Sequence, residues 1–156
     1  YVRACVVDSN TFIDCRDAAY IDVGEVDGLQ VTNNTVIRGW MAVGLRCPGL
    51  KQNITISGNN FQIQNRYVVG ASYGMLIDSG PISNLTIDHN IMSFDGSGGG
   101  QANFWGINAT LVTTATISNN TMEVTSLPLH NQIVGGDITM FGNRMSDGST
   151  IPGLGN

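Results

Sequence analysis

Six times along the chain an apolar residue is followed by two residues, an Asn, one further residue and a second apolar residue. The copies are Val7-Asp8-Ser9-Asn10-Thr11-Phe12, Val31-Thr32-Asn33-Asn34-Thr35-Val36 and Ile56-Ser57-Gly58-Asn59-Asn60-Phe61, then Ile87-Asp88-His89-Asn90-Ile91-Met92, Ile117-Ser118-Asn119-Asn120-Thr121-Met122 and Met140-Phe141-Gly142-Asn143-Arg144-Met145. The Asn positions lie 24, 25, 31, 30 and 23 residues apart. A period in that range marks a repeat architecture.

Alignment on the Asn gives columns. An apolar column, Cys5, Leu29, Ile54, Leu85, Ala115 and Ile138, stands two residues before the first apolar position. Between the two stands Val6, Gln30, Thr55, Thr86, Thr116 and Thr139. This alternation of period two predicts a strand with apolar residues inward and Thr outward. The Asn then sits at a bend. Its side chain tolerates left-handed backbone, bonds nearby backbone groups, and can bond its equivalents in neighbouring repeats as a ladder. A second short strand follows at Phe12, Val36, Phe61, Met92, Met122 and Met145, and a third apolar segment precedes each next repeat, as in Trp40–Leu45 or Tyr73–Ile77. Gly and Pro punctuate the corners, as at Cys47-Pro48-Gly49 and Ser79-Gly80-Pro81.

Three short strands per turn, stacked at about 4.8 Å, describe an all-β parallel β-helix of about six coils over residues 1–145, with 146–156 as a loose Gly-containing C-terminal tail. A β-sandwich also explains the alternation, but not one motif recurring once per repeat and always in register.

Composition narrows the setting. Only 12% of the 156 residues are charged, the net charge is −5, and the seven Lys and Arg are scattered. No basic stripe exists to neutralise phosphates, so nucleic acid is not an expected partner. No stretch approaches the roughly 18 apolar residues of a membrane span, so no membrane partner is expected either. The chain opens on Tyr1 without a Met and reads as a fragment, a processed chain or part of something longer. Three Cys cannot all pair internally; Cys5 reads as a small buried hydrophobe, and a Cys15–Cys47 disulfide stays open.

The strand–Asn–strand repeat over residues 4 to 145 resembles the right-handed parallel β-helix (pectin-lyase-like) superfamily of pectate lyases, polygalacturonases, alginate epimerases and bacteriophage tailspikes. Right-handedness is what the resemblance implies. The Gly-, Asn- and Thr-rich, Lys-poor composition is most similar to tailspike and tail-fibre segments. That likeness implies a virion-tail or extracellular protein, a homotrimer, and bacterial surface polysaccharide as partner. Ile37 and Phe141, outward apolar residues, would then face a neighbouring subunit. The polygalacturonase motifs and a pectate-lyase calcium cluster are absent, so no family residue carries over, and no cofactor or metal is expected.

Polysaccharide hydrolysis needs two carboxylates about 5 to 9.5 Å apart. Asp8 and Asp88 share a column but stand three repeats apart, too far to act together. Asp78 and Asp88 flank one corner, and an approach across it makes them the catalytic candidates; Asp22 lies two repeats before Asp78. A solvated face or a corner turn is the plainer account of these acids, and of the exposed His89 and the loop residue His130. Sugar binding needs aromatic faces beside amides and charges. The two longest repeats carry Tyr67 and Trp105 for stacking, with Arg66 and Asn103 to bond hydroxyls or carboxylates; Phe94 and Phe104 read as core. Five Asn-x-Thr sequons, at Asn33, Asn53, Asn84, Asn108 and Asn119, arise from the repeat itself. The leading expectation is a β-helix that recognises cell-surface polysaccharide. A polysaccharide lyase, hydrolase or epimerase is the alternative, and a structural shaft the third reading.

Overall fold

The computed structural model describes residues 1–22, 24–64, 70–98, 103–124 and 129–154. It begins with β1 (Val2–Arg3), β2 (Val6–Asp8), β3 (Thr11–Ile13) and β4 (Asp17–Ile21). The next repeat supplies β5 (Val26–Asp27), β6 (Gln30–Thr32), β7 (Thr35–Gly39) and β8 (Met41–Leu45). Then follow β9 (Lys51–Ser57), β10 (Asn60–Gln64), β11 (Ser72–Ile77), β12 (Ile82–Asp88) and β13 (Ile91–Asp95), with a 3-10 turn at Gly96–Gly98. The chain closes with β14 (Phe104–Ser118), β15 (Thr121–Val124), β16 (Leu129–Phe141) and β17 (Arg144–Met145).

The strands form two parallel sheets, an 11-stranded one and a six-stranded one ordered β17-β15-β13-β10-β7-β3. Each strand pairs with its equivalent one repeat away, an arrangement compatible with a parallel β-helix. The alignment columns are the register: Val6 faces Gln30, Gln30 faces Thr55, Thr55 faces Thr86 and Thr86 faces Thr116. Phe12, Val36, Phe61, Met92, Met122 and Met145 follow one another across the six-stranded sheet. Inward residues of both sheets, among them Ile54, Ile56, Phe61, Ile87, Met92 and Ile117, form one buried core.

Late in the chain the short-strand expectation changes. Four residues (78–81) separate Ile77 from Ile82, but only two (110–111) separate their partners Ala109 and Val112. The corner is so tight that β14 runs through it as one strand of 15 residues, and β16 continues alongside for 13. The third and first strand positions therefore merge there.

The Asn ladder is built as the columns imply. Asn34, Asn59, Asn90, Asn120 and Asn143 are buried. The backbone N–H and Nδ2 of each Asn from Asn10 to Asn120 donate to the Oδ1 of the next at 2.9–3.2 Å. A second Nδ2 bond reaches the strand of the preceding repeat, as from Asn90 to the Ile56 carbonyl at 2.9 Å. Buried polar groups are tolerated because each is satisfied. The left-handed residue at this bend is the one before the ladder Asn: Ser9, Asn33, Gly58, His89, Asn119 and Gly142 have φ of 53° to 67°. That turn aims the following Asn inward, and the column before it is mostly Gly, Asn and Ser, residues suited to left-handed backbone, with His89 the exception.

Two further details depart from the pattern. Lys51 occupies an inward row with Val26 and Ile82, fully buried, and its Nζ donates to the Cys47 carbonyl at 2.7 Å. The C-terminal tail is not loose: Ile151 and Leu154 bury themselves in the core, and Asn131 Nδ2 holds the Pro152 carbonyl at 3.0 Å. The three thiols are free, with Cys47 buried and Cys5 half-buried against the core at the first repeat.

Candidate functional site

The third-strand ladder, β4, β8, β11 and the first half of β14, presents the most differentiated outer surface. Its register stacks Ile21, Leu45, Ile77 and Ala109 in one inward row. The residues just before them, Tyr20, Gly44, Leu76 and Asn108, form an outward row. The residues just after them place Arg46 between Asp22 and Asp78, and Arg46 Nε donates to Asp78 Oδ1 at 3.2 Å. That bond and the attraction of Asp78 raise the guanidinium's affinity for its proton.

Gly44 has a specific use here. A Cβ at this position would stand 2.5 Å from Tyr20 Cδ2 and 2.8 Å from Met41 Cε. The absent side chain lets the Tyr20 ring lie down on the sheet.

A row of rings crosses the strands beside it. Trp40 meets Tyr73 edge-on at 6.3 Å between centroids, Tyr73 lies nearly parallel to Trp105 at 6.5 Å, and Trp105 meets His130 at 5.2 Å. The Arg16 guanidinium sits 5.4 Å above the Trp40 ring. Offset contacts of this kind are the favoured arrangement of aromatic pairs. Between this row and the Arg46–Asp78 pair lies a groove of about 350 Å³, floored by Met41 and Leu76. Arg16 also lies 3.7 Å from the Asp17 carboxylate, whose pKa is raised by burial despite the guanidinium.

The candidates read from the sequence distribute as follows. Trp105 belongs to the ring row and is half-buried. Asn103 is exposed beside the ladder, and its carbonyl accepts the Ser72 N–H at 3.2 Å. Arg66 and Tyr67 lie outside the described residues. Phe94 and Phe104 are core, their centroids 5.4 Å apart. Asp78 lines the groove, whereas Asp88 ends the far side of β12. Seven residues at about 3.3 Å each put a strand length of roughly 20 Å between their corners, so the structure does not bring the two acids together.

Asp88 has a different occupation. Ser118 Oγ and Asn119 Nδ2 of the next repeat donate to its Oδ1 at 2.6 and 3.1 Å, and the exposed His89 ring contacts Oδ2. Burial pushes its pKa up, but the three bonds outweigh it and hold the carboxyl below its usual value. Asp8 repeats the device with Thr32, Asn33 and Ser9. Both acids clamp adjacent repeats. The sequon Asn residues are similarly engaged: the Nδ2 groups of Asn33, Asn53, Asn84 and Asn119 donate to Asp8, Asp27, Asn53 and Asp88.

Among the described residues no group of three or more His, Cys, Asp or Glu is placed to hold a metal ion, and no helix is long and apolar enough to cross a membrane. Trp40, Arg16 and Arg46 were missed as site residues. The signal existed: aligning the third segments puts Asp22, Arg46 and Asp78 in one column. No protein-family model, curated protein or solved structure compared with the chain matches it.

Proposed function

We propose that this chain is a right-handed parallel β-helix of about six three-strand coils that recognises cell-surface polysaccharide, in the manner of a bacteriophage tailspike or extracellular adhesin. The observation that carries the reading is the groove on the third-strand face. The Tyr20, Trp40 and Tyr73 rings, an Arg46–Asp78 pair offering donors and acceptors, and Met41 and Leu76 line it together. Sugars present the complementary surface, an apolar ring face edged by hydroxyls. Concave sites with a few placed polar groups are where such ligands bind.

The proposal extends to a homotrimer in a virion tail or extracellular setting. Its support is the exposed apolar side chains on the outer surface, Phe141 at 47% exposure and Ile13 at 57% among them. Sedimentation equilibrium reads this directly: three times 16.6 kDa is expected, and a monomer overturns the trimer.

The binding reading is tested by calorimetric titration with capsular and lipopolysaccharide O-antigen polymers, with polymer length followed in parallel. Saturable binding with unchanged polymer length is expected. Shortening of the polymer would replace the reading with that of a lyase or hydrolase, and absence of binding would leave a structural shaft.

A further inference from the structure

Two ion pairs on the outer surface differ in how far they are closed. Asp14 takes both Nε and Nη2 of Arg38, each at 2.8 Å, which makes a filled two-bond fork. Asp78 takes only Nε of Arg46, at 3.2 Å, and a second bond, from Ser79 Oγ at 2.9 Å, falls on the same Oδ1. Neither the Arg46 Nη groups nor Asp78 Oδ2 enters these contacts, and the two side chains are 47% and 23% exposed. Donors and an acceptor therefore stand together at the groove within one neutral pair.

Beside the pair lies an exposed ring. Tyr20 rests over Gly44 and is still 43% exposed, whereas Trp40 and Tyr73 pack edge-on against each other and are half-buried. Gly44 covers one face of the Tyr20 ring, so the exposure falls on the side away from the sheet. The Tyr20 hydroxyl is close enough to Arg46 to help hold the guanidinium's proton. Arg46 comes two positions after Gly44, about 6.6 Å at strand spacing, so ring and ion pair fall within the span of one monosaccharide.

Resting on the reading of the groove as a sugar site, we infer that Tyr20, Arg46 and Asp78 form a subsite for a neutral pyranose, with Gly44 as the positioning residue for the ring. The C–H face of the sugar stacks on Tyr20. Two adjacent hydroxyls complete the open fork, one accepting from an Arg46 Nη and the other donating to Asp78 Oδ2. A uronate fits less well, because its carboxylate must compete with Asp78 for Arg46. Gly44 keeps the platform flat: an added Cβ there meets first the flexible ends of Tyr20 and Met41, at 2.5 and 2.8 Å. The sheet can then keep its register while the Tyr20 ring swings off its seat.

Ligand-observed NMR titration of the protein with the methyl glycosides of glucose, galactose and mannose tests this. Sorbitol serves as a polyol without a ring face, and methyl glucuronoside as the charged control. At least one neutral glycoside is expected to bind about tenfold more tightly than sorbitol, with saturation transfer strongest at its ring C–H protons. Tyr20→Ala and Gly44→Ala should each weaken that binding about tenfold, while Tyr20→Phe, which keeps the ring, stays within about threefold. Circular dichroism checks that each variant keeps its fold. Unchanged binding in Tyr20→Ala and Gly44→Ala overturns the subsite while leaving the groove a sugar site. Sorbitol binding as well as the glycosides overturns the stacking, and preference for the glucuronoside overturns the neutral ligand. Binding of none of them overturns the subsite, and the sugar-site reading falls with it only if the polysaccharides of the calorimetric titration also fail to bind.

Discussion

The Asn ladder, at the bends before β3, β7, β10, β13, β15 and β17, and the groove, on β4, β8, β11 and the start of β14, use the same stacking of repeats. In the ladder every repeat contributes the same side chain to the same partner, so each Asn from Asn34 to Asn120 both gives and receives along the row. In the groove successive repeats contribute different residues to one row: Tyr20, Gly44, Leu76, then Asn108. Where identity is kept, polar groups satisfy one another inside the core and nothing remains for a ligand. Where identity is lost, the same register sets a ring, a gap, a Leu and an amide side by side. Repetition makes the scaffold, and its local failure makes a surface that can discriminate.

The sharpest way to break the comparison is in the middle of the ladder. Asn90→Ala removes the acceptor of Asn59 and the donor to Asn120 and to the Ile56 carbonyl, all in the dry interior. A loss of about 3–4 kcal/mol in urea unfolding is expected, from several buried groups left unpaired. A loss below about 1 kcal/mol would mean the ladder relaxes and is not the scaffold's clasp. In the groove the prediction reverses: Tyr73→Ala should weaken polysaccharide binding about tenfold, with a smaller effect on unfolding than Asn90→Ala.

At the exposed first repeat the ladder itself should matter less. Asn10→Ala removes one Nδ2 bond to Asn34 and another to the Asp8 carbonyl, both near solvent, and should cost about 1 kcal/mol. A cost equal to that of Asn90 would show that burial does not set the ladder's strength. The smallest effect is electrostatic. The Asp88 pKa is held below the ordinary 3.8, so its stabilisation is present above that value and lost as pH falls through the folded pKa. Asn side chains do not titrate in this range. Asp88→Asn should therefore flatten the loss of melting temperature below about pH 4 without changing its value near neutrality by more than a few degrees.

Much of the fold was legible because strand register in a stacked repeat is carried by sequence period. The columns Val6, Gln30, Thr55, Thr86 and Thr116, and Phe12 through Met145, are the registers observed. The core placement of Phe94 and Phe104 also followed from alternation. The buried Lys51 did not, since its long stem reaches a corner carbonyl that only the folded chain brings near. The tail likewise looked unstructured from its Gly content, yet Ile151 and Leu154 find the open end of the core. The site was the least legible part. Arg16, Trp40, Tyr73 and Trp105 are far apart in the chain and follow no common motif.

By itself the sequence determined the inward and outward sides of each strand, the recurrence of the bend and the identity of the ladder residue, because these depend on period and side-chain chemistry alone. Tertiary structure decided which outward residues become neighbours, since that depends on the summed lengths of the corners between repeats. It set Arg46 against Asp78 and Leu76 beside Asn108, and it separated Asp78 from Asp88 by the length of a strand that the corner reading had folded away.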